Sequence, residues 1–326
     1  MELVQAQSLD TVTLDVETSS VLTIGTFDGV HRGHQHLLSQ LAWRARTCGR
    51  TSITLSFHPR PRNVLNPHAQ ITYLSTPQER AELMAPLGVD KLLVVPFTRA
   101  LAETPAEVFV RTLHDRLGMR ELWVGSDFAM GRGREADVPR LQELGEAIGY
   151  TCRTVEPLRI DGHIVSSTRI RRLVIRGDVE EAARLLGRPY NVSARVAKGD
   201  HRGHSLGFPT ANLHVAADRT IPADGVYVVW ATVHSARRPG ARYGGVANVG
   251  VRPSFGGGGK VLEVHILDFE GDLYDSDLVV HFVRFLRPER RFEHVEDLVE
   301  QMTRDAAQAR ELLAAGGEPW IQKVQP

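Results

Sequence analysis

Gly25-Thr26-Phe27-Asp28-Gly29-Val30-His31-Arg32-Gly33-His34 decides how the first half of this chain is read. The run follows an apolar strand candidate, Val21–Ile24, and leads into a helical pattern in which Leu37, Leu38, Leu41, Ala42 and Ala45 share one face. A glycine-rich turn between strand and helix offers backbone N–H groups and the positive helix end to an anion. Working outward, Ser52–Phe57, Lys91–Val95, Leu122–Val124 and Thr151–Val155 read as further strands. Helical patterns separate them, one carrying Val108, Phe109, Leu113 and Leu117 on a single face and another spanning Val138–Ile148. The alternation predicts a Rossmann-like α/β domain with an open parallel sheet covered on both faces. Ligands in such sheets bind beyond the carboxyl ends of the strands, where the loop after Ile24 lies.

From about Thr168 to Leu186 the pattern is helical, and then the texture changes. Asn191–Ala197, Gly225–Val233, Tyr243–Val249, Val261–Leu267 and Leu278–Leu286 are β-rich and separated by Gly, Pro and Asp turns. No helix-length pattern interrupts them before Val295–Leu313, so an antiparallel barrel with an appended C-terminal helix is expected. The boundary is placed near residue 184, giving domains 1–183 and 184–326.

Bulk properties narrow the function. At roughly 150 residues per domain, 326 residues suit two domains, and 42% hydrophobic with 24% charged residues is an ordinary globular balance. Lys+Arg and Asp+Glu stand at 39 each, so no global field favours nucleic acid or an anionic membrane, and an anion site must be built locally. Two distant cysteines, Cys48 and Cys152, argue against a disulfide framework or zinc ribbon and fit a reducing cytoplasm. The start of the chain lacks signal-peptide character, and no apolar run approaches a membrane span. His36, His68, His114 and His163 lack ligand-spaced partners, and Trp43, Trp123 and Trp230 fall in element interiors where packing explains them. The Arg284–Arg291 stretch reads as a solvated strand end.

Two histidines flanking a glycine can donate hydrogen bonds to one phosphoryl group, and such donors stabilise charge building on an α-phosphate during in-line displacement. An isolated His-x-Gly-His is equally a tight turn with exposed histidines; the preceding strand and following helix favour the phosphate reading. Val165-Ser166-Ser167-Thr168-Arg169-Ile170-Arg171 opens another helix, where Ser and Thr can cap and bind phosphate oxygens while Arg169 and Arg171 neutralise charge. With Gly125-Ser126-Asp127-Phe128-Ala129-Met130-Gly131-Arg132-Gly133, these segments resemble the nucleotidyltransferase domain of the bacterial bifunctional riboflavin kinase/FAD synthetase family. The resemblance implies adenylyl transfer from ATP to FMN with release of pyrophosphate and no covalent enzyme intermediate. It places His31, His34 and Arg169 in the catalytic set. Gly25, Phe27, Asp28, Gly29, Gly33, Asp127, Ser167, Thr168 and Arg171 are assigned to the nucleotide. Arg60 in Phe57-His58-Pro59-Arg60-Pro61, together with Ala129 and Met130, departs from the family pattern, and Arg60 could meet a phosphate.

Lys198-Gly199-Asp200-His201-Arg202-Gly203-His204-Ser205-Leu206-Gly207-Phe208-Pro209-Thr210-Ala211-Asn212 lies between two strands of the expected barrel. Its glycines permit close backbone approach to phosphates. Thr210 and Asn212 project to one side of an extended segment, as two neutral oxygens suited to Mg²⁺ that keeps its waters and bridges ATP phosphates. A generic hairpin loop explains the glycines but not Gly-Phe-Pro-Thr-Ala-Asn. That string resembles the riboflavin kinase module, as do Gly225-Val226-Tyr227, Ala247–Phe255 and Leu262–Phe269. By resemblance, Gly199, Gly203, Gly207 and Pro209 line the ATP site, Thr210 and Asn212 serve Mg-ATP, and Glu263 takes the proton from the riboflavin 5′-hydroxyl. His204 and Asp275 depart from the family residues. The expected partners are riboflavin, FMN and ATP, with no nucleic acid, membrane or obligate protein partner. A kinase with a drifted first domain, and a non-catalytic flavin- or nucleotide-binding regulator, are the alternatives.

Overall fold

A computed structural model describes residues 1–12, 19–69, 71–197, 208–235, 238–251, 260–269, 271, 273–274 and 276–316. Two compact units divide the chain, Met1–Ser167 and Thr168–Pro326.

The first unit is built on a six-stranded parallel sheet in the order β1-β4-β3-β2-β5-β6. Its strands are β1 Glu2–Gln5, β2 Ser20–Gly25, β3 Thr51–Phe57, β4 Lys91–Val95, β5 Met119–Gly125 and β6 Thr151–Val155. The helices are α1 Arg32–Thr47, α2 Pro61–Leu65, α3 Pro77–Met84, α4 Arg99–Ala102, α5 Ala106–Leu117 and α6 Val138–Ile148, and a small hairpin pairs β7 Arg159–Ile160 with β8 His163–Ile164. On one face Leu22, Ile24, Ile53 and Leu55 pack with Phe109, Val110 and Leu113 of α5 and Leu141 and Leu144 of α6. On the other, Leu92 and Val94 meet Leu38 and Ala42 of α1 and Ala81 and Met84 of α3. Both faces of β3 are buried, although Ser52, Thr54 and Ser56 alternate with Ile53, Leu55 and Phe57 along it. The edge strand β1 was not among the expected strands, because a half-buried four-residue edge carries little periodic signal. Trp43 departs from the packing expectation, since it points outward from α1 and is 61% exposed.

Strand order reverses between β2 and β5, so the loops after Gly25 and Gly125 emerge side by side at the carboxyl end of the sheet. Below them, Glu121 of β5 is almost fully buried and accepts from Arg44 Nη2 at 2.6 Å, Arg50 Nη1 at 3.0 Å, Arg153 Nε at 3.1 Å and Trp123 Nε1 at 3.1 Å. Burial alone would raise its pKa, but these donors hold the carboxyl below the usual range. One carboxylate thereby fastens α1, the start of β3, β5 and β6.

In the second unit, α7 (Ser167–Arg176, whose first residue ends the first unit) and α8 Val179–Leu186 precede a closed barrel of order β10-β13-β12-β11-β14-β9. The helical stretch expected over 168–186 is therefore two helices, broken at Gly177, whose φ of 87° only glycine adopts readily. The barrel strands are β9 Tyr190–Ala197, β10 Thr210–Leu213, β11 Gly225–Ser235, β12 Arg238–Val251, β13 Lys260–Ile266 and β14 Asp277–Arg287. Ala211, Leu213, Tyr227, Val229, Val249, Leu262, Val264 and Phe282 are buried, leaving the alternate positions of β10 and β13 on a half-buried face. The last helix, α9 Val295–Gly316, lays Ala306, Ala309 and Leu313 on Val228 and Leu267.

Replacing Glu121 by Ala leaves three arginines without their shared acceptor. Their own partial exposure lets them rehydrate, so the cost should fall at or below the lower end of the 3–5 kcal/mol range for broken buried pairs, about 2–3 kcal/mol. Denaturant unfolding should show a lower midpoint for the first unit; an unchanged midpoint would remove Glu121 from this role.

Candidate active sites

The first site grows from the β2–α1 turn. Phe27 and Val30 adopt positive φ of 47° and 38°, and Gly29 stands at 80°. Such angles are unfavourable for a β-branched residue, so the surrounding structure must hold them. Asp28 supplies the hold. Its carboxylate is 2% exposed, and Oδ1 accepts from the N–H of Leu74 at 2.9 Å and of Ser75 at 3.0 Å. Ser75 Oγ in turn accepts from the Gly29 N–H at 2.7 Å. Arg80, 1% exposed on α3, donates through Nη1 to the Thr26 carbonyl at 2.9 Å and to Ser56 Oγ at 2.7 Å. The phosphate-loop candidate is thus tied to the segment before α3 and to the end of β3.

Held in this way, the loop delivers two imidazoles to the start of α1. His31 is the N-cap, and its Nδ1 accepts from the His34 N–H at 3.3 Å. An accepting Nδ1 leaves the proton of the neutral ring on Nε2, which makes Nε2–H the ring's donor. The His31 and His34 rings stack with centroids 3.6 Å apart, and Phe27 meets His34 edge-on at 5.0 Å. A Cβ at Gly33 would stand 3.2 Å from the His31 ring, so only glycine leaves this stack undisturbed. His34 is half-buried, and its Nδ1 meets no hydrogen-bond partner among the described residues. Burial foremost, then the charges of His31 and Arg80, holds its pKa well below 6.5. His34 is therefore held neutral, and the two rings stand at a helix N-terminus in a place suited to phosphate oxygens.

The remaining predicted residues of this site divide. Gly25 ends β2, with a Cβ there 3.0 Å from the Phe27 ring, and Ser167 Oγ donates to the Asp28 carbonyl at 2.8 Å. Asp127 is exposed in the loop after β5. Thr168, Arg169 and Arg171 belong to the second unit, where Arg169 Nη2 donates to Glu181 at 3.1 Å, Thr168 is exposed and Arg171 is buried. Arg60 is 7% exposed and faces inward. Its guanidinium lies 4.2 Å over the Tyr73 ring, donates to the Thr72 carbonyl at 2.5 Å and approaches Asp28 at 3.5 Å. Met130 is likewise structural, bridged to Ala136 by N–H···O bonds of 2.9 and 3.0 Å.

The second site lies on the barrel. Antiparallel pairing sets Asn212 of β10 opposite Glu263 of β13, and Asn248 of β12 opposite the same residue. Thr210 shares a face with Asn212, and Pro209 immediately precedes it. Thr210, Asn248 and Glu263 line a cavity of about 590 Å³ whose other walls include Glu289, Arg290 and Phe292. Asn212 is beside Glu263 in register but is not part of that lining. Asn248 Nδ2 donates to Glu289 Oε1 at 3.1 Å, and Arg287 forms a two-pronged pair with Asp305 of α9 at 2.7 and 3.1 Å. Arg287 and Arg290 stand on a cavity wall, which revises the reading of that stretch as a simple solvated strand end. Gly199, Gly203 and Gly207, with His204 and Asp275, lie outside the described residues.

Sequence reasoning missed Tyr73, Ser75, Arg80, Asn248 and Glu289. A buried arginine or serine far along the chain carries no local signature, whereas Asn248 stood within a quoted string and could have been paired with Glu263 once the strands were aligned.

A FAD synthetase family model matches residues 14–169, and a riboflavin kinase family model matches residues 186–313. A bifunctional riboflavin kinase/FMN adenylyltransferase of Pseudomonas fluorescens is 42% identical over 90% of this chain and 93% of its own length. Proteins of the same description from Listeria monocytogenes and Escherichia coli K12 are 35% and 36% identical, over 91% and 89% of this chain and 94% and 92% of theirs. A crystal structure described as a macrolide-efflux protein from Streptococcus pneumoniae superposes with a TM-score of 0.86 at 28% identity, covering 95% of this chain and 99% of that one.

His34 should remain neutral at pH 6 in the ligand-free protein, read by the Cε1–H chemical shift. Its depressed pKa means that its part of the folding stability is complete above about pH 6.5. That part is lost as pH falls, because the unfolded chain takes up a proton the fold refuses. A titration midpoint at or above 6.5 would contradict the desolvated, stacked geometry.

Proposed function

The chain belongs to the bifunctional riboflavin kinase/FMN adenylyltransferase family, and we propose that its two units divide the chemistry between them. Riboflavin and ATP give FMN and ADP on the barrel; FMN and a second ATP give FAD and pyrophosphate on the parallel-sheet unit. We assign the functional domains to residues 1–183 and 184–326, a boundary inside the stretch 170–185 that neither family model matches and later than the division of the compact units after Ser167.

The observation that carries the kinase half is the Asn212–Glu263–Asn248 row beside an open cavity. A carboxylate there can accept the proton of the riboflavin 5′-hydroxyl as its oxygen attacks the γ-phosphorus and ADP departs. The cavity, with Phe292 in one wall, has room for the apolar flavin ring. ATP-dependent transfer calls for a divalent ion, and we take it to be Mg²⁺. Among the described residues no group of three or more His, Cys, Asp or Glu side chains could hold a metal. Two neutral oxygens, from Thr210 and Asn212, fit an ion that draws its other ligands from phosphates and water. Such an ion neutralises phosphate charge when bound.

In the adenylyltransferase half, a phosphate oxygen of FMN attacks the α-phosphorus of ATP and pyrophosphate leaves. The Nε2–H of His31 and the His34 imidazole supply donors to the phosphate oxygens, and the braced loop keeps them in place before substrate arrives. On the family motif we assign Ser167, Thr168 and Arg171 to nucleotide binding and keep Arg169 with His31 and His34 in the catalytic set. The inward Arg60 and the bridged Met130 support an active site here, because these two of the three altered positions serve the scaffold rather than an open contact surface. We place the protein in the cytoplasm; among the described residues no helix is long and apolar enough to cross a membrane.

Chromatographic separation of flavins tests the division. Glu263→Gln should lower FMN formation by about 10²-fold or more while FAD formation from added FMN persists. His31→Ala should spare FMN formation and lower FAD formation by about 10²-fold. Loss of both steps in either variant would contradict separate sites, and FMN without FAD from the unaltered protein would favour the kinase-only reading.

A further inference from the structure

Among the half-buried residues on the cavity side of β13, His265 has no role in the chemistry above. It stands two residues after Glu263 on the same face, lines the same cavity and is paired in register with Thr210. Its Nδ1 lies 3.0 Å from the Pro209 carbonyl. A carbonyl oxygen can only accept, so Nδ1 carries the proton and donates, which fixes the orientation of the ring. The ring also meets the edge of Phe208 with centroids 5.1 Å apart.

The place where this bond acts is exposed to misalignment. Pro209 has no N–H, so its carbonyl is its only backbone hydrogen-bonding group. Strand β10 has four residues, and among the described residues its pairing with β9 covers only Asn212 and Leu213. Among the described residues the Thr210 end pairs with β13 alone, and His265 adds a side-chain tie just ahead of it.

We propose that His265 is a positioning residue for phosphoryl transfer, clamping Pro209–Thr210 to β13 so that the Thr210 and Asn212 side chains stay aligned with Glu263. It acts through its Nδ1–H rather than on the reacting atoms, and the inference rests on the kinase reading of the barrel. An imidazole suits the task because a rigid ring reaches sideways across the strand pair, while its body packs on Phe208.

Two substitutions in the full-length protein separate the donor from the ring. His265→Phe keeps the ring against Phe208 and removes the donor; His265→Asn places an amide donor near the former Nδ1. In His265→Phe, kcat for FMN formation should fall about tenfold or more, as expected for misplaced reacting groups, with a smaller change in the KM for riboflavin. FAD formation from added FMN on the same polypeptide should be unchanged. Hydrogen exchange of Phe208–Leu213, followed without nucleotide, should speed up in His265→Phe. His265→Asn should stay within about threefold of the unaltered protein in kcat and keep its exchange protection. Equal losses in both variants, or unaltered kcat and exchange in His265→Phe, would overturn the clamp. Should His265→Phe fail to fold, His265→Asn still decides: a tenfold loss of kcat in a folded His265→Asn protein overturns it. Absence of FMN formation by the unaltered protein would overturn the kinase reading itself.

Discussion

Strand β13 is compatible with one register between β10 and β12, because a slip of one residue would turn Leu262, Val264 and Ile266 out of the barrel and bring Glu263 and His265 in. That apolar requirement is what aligns Asn212, Glu263 and Asn248 in a row. The polar groups are therefore positioned by the burial of their neighbours. Each fully buried aliphatic side chain contributes about 1.5–3 kcal/mol, so three on β13 outweigh any small preference the polar face has for another alignment. The cavity follows from the same arrangement, with α9 and the residues after β14 completing its walls.

The parallel-sheet unit solves the placement of its catalytic groups differently. Its strand ends bring loops together but do not dictate their shape, and the β2–α1 turn carries positive φ at Phe27 and Val30. A strain of order 1–3 kcal/mol per residue is offset by buried hydrogen bonds from Asp28, Ser75 and Arg80. The result is two stacked histidines at a helix start, with His34 held neutral, before any phosphate binds. Preorganisation of this kind matters most where charge develops during reaction. It also explains why residues 71–80, which present no motif, belong to the working structure of the site.

Much of this was legible in the sequence, and the remainder was not for definable reasons. Strand–helix alternation and the later helix-free β run exposed both folds, since periodicity is a local property. The Gly25–His34 loop was legible because strand, turn and helix follow one another directly in the chain. Asp28 was read as a nucleotide contact, yet its carboxylate faces Leu74 and Ser75, partners 46 and 47 residues away that no local pattern couples to it. Arg60 read as a phosphate contact for a similar reason: nothing nearby reveals that the Tyr73 ring and Asp28 draw it inward. The break at Gly177 was visible as a glycine but not as a helix end, because the apolar spacing runs on through Val179 and Ala182. The cavity wall after β14 depends on tertiary closure by α9, which composition cannot show.

Two phosphates of different origin should thus enter one flavin product. Incubation with riboflavin and ATP labelled with ³²P at either the γ or the α position follows each separately. Label from γ-³²P-ATP should appear in FMN and persist in FAD, while label from α-³²P-ATP should appear in FAD and never in FMN. Label from the α position in FMN, or FAD lacking the γ label, would contradict two distinct transfers on the two units.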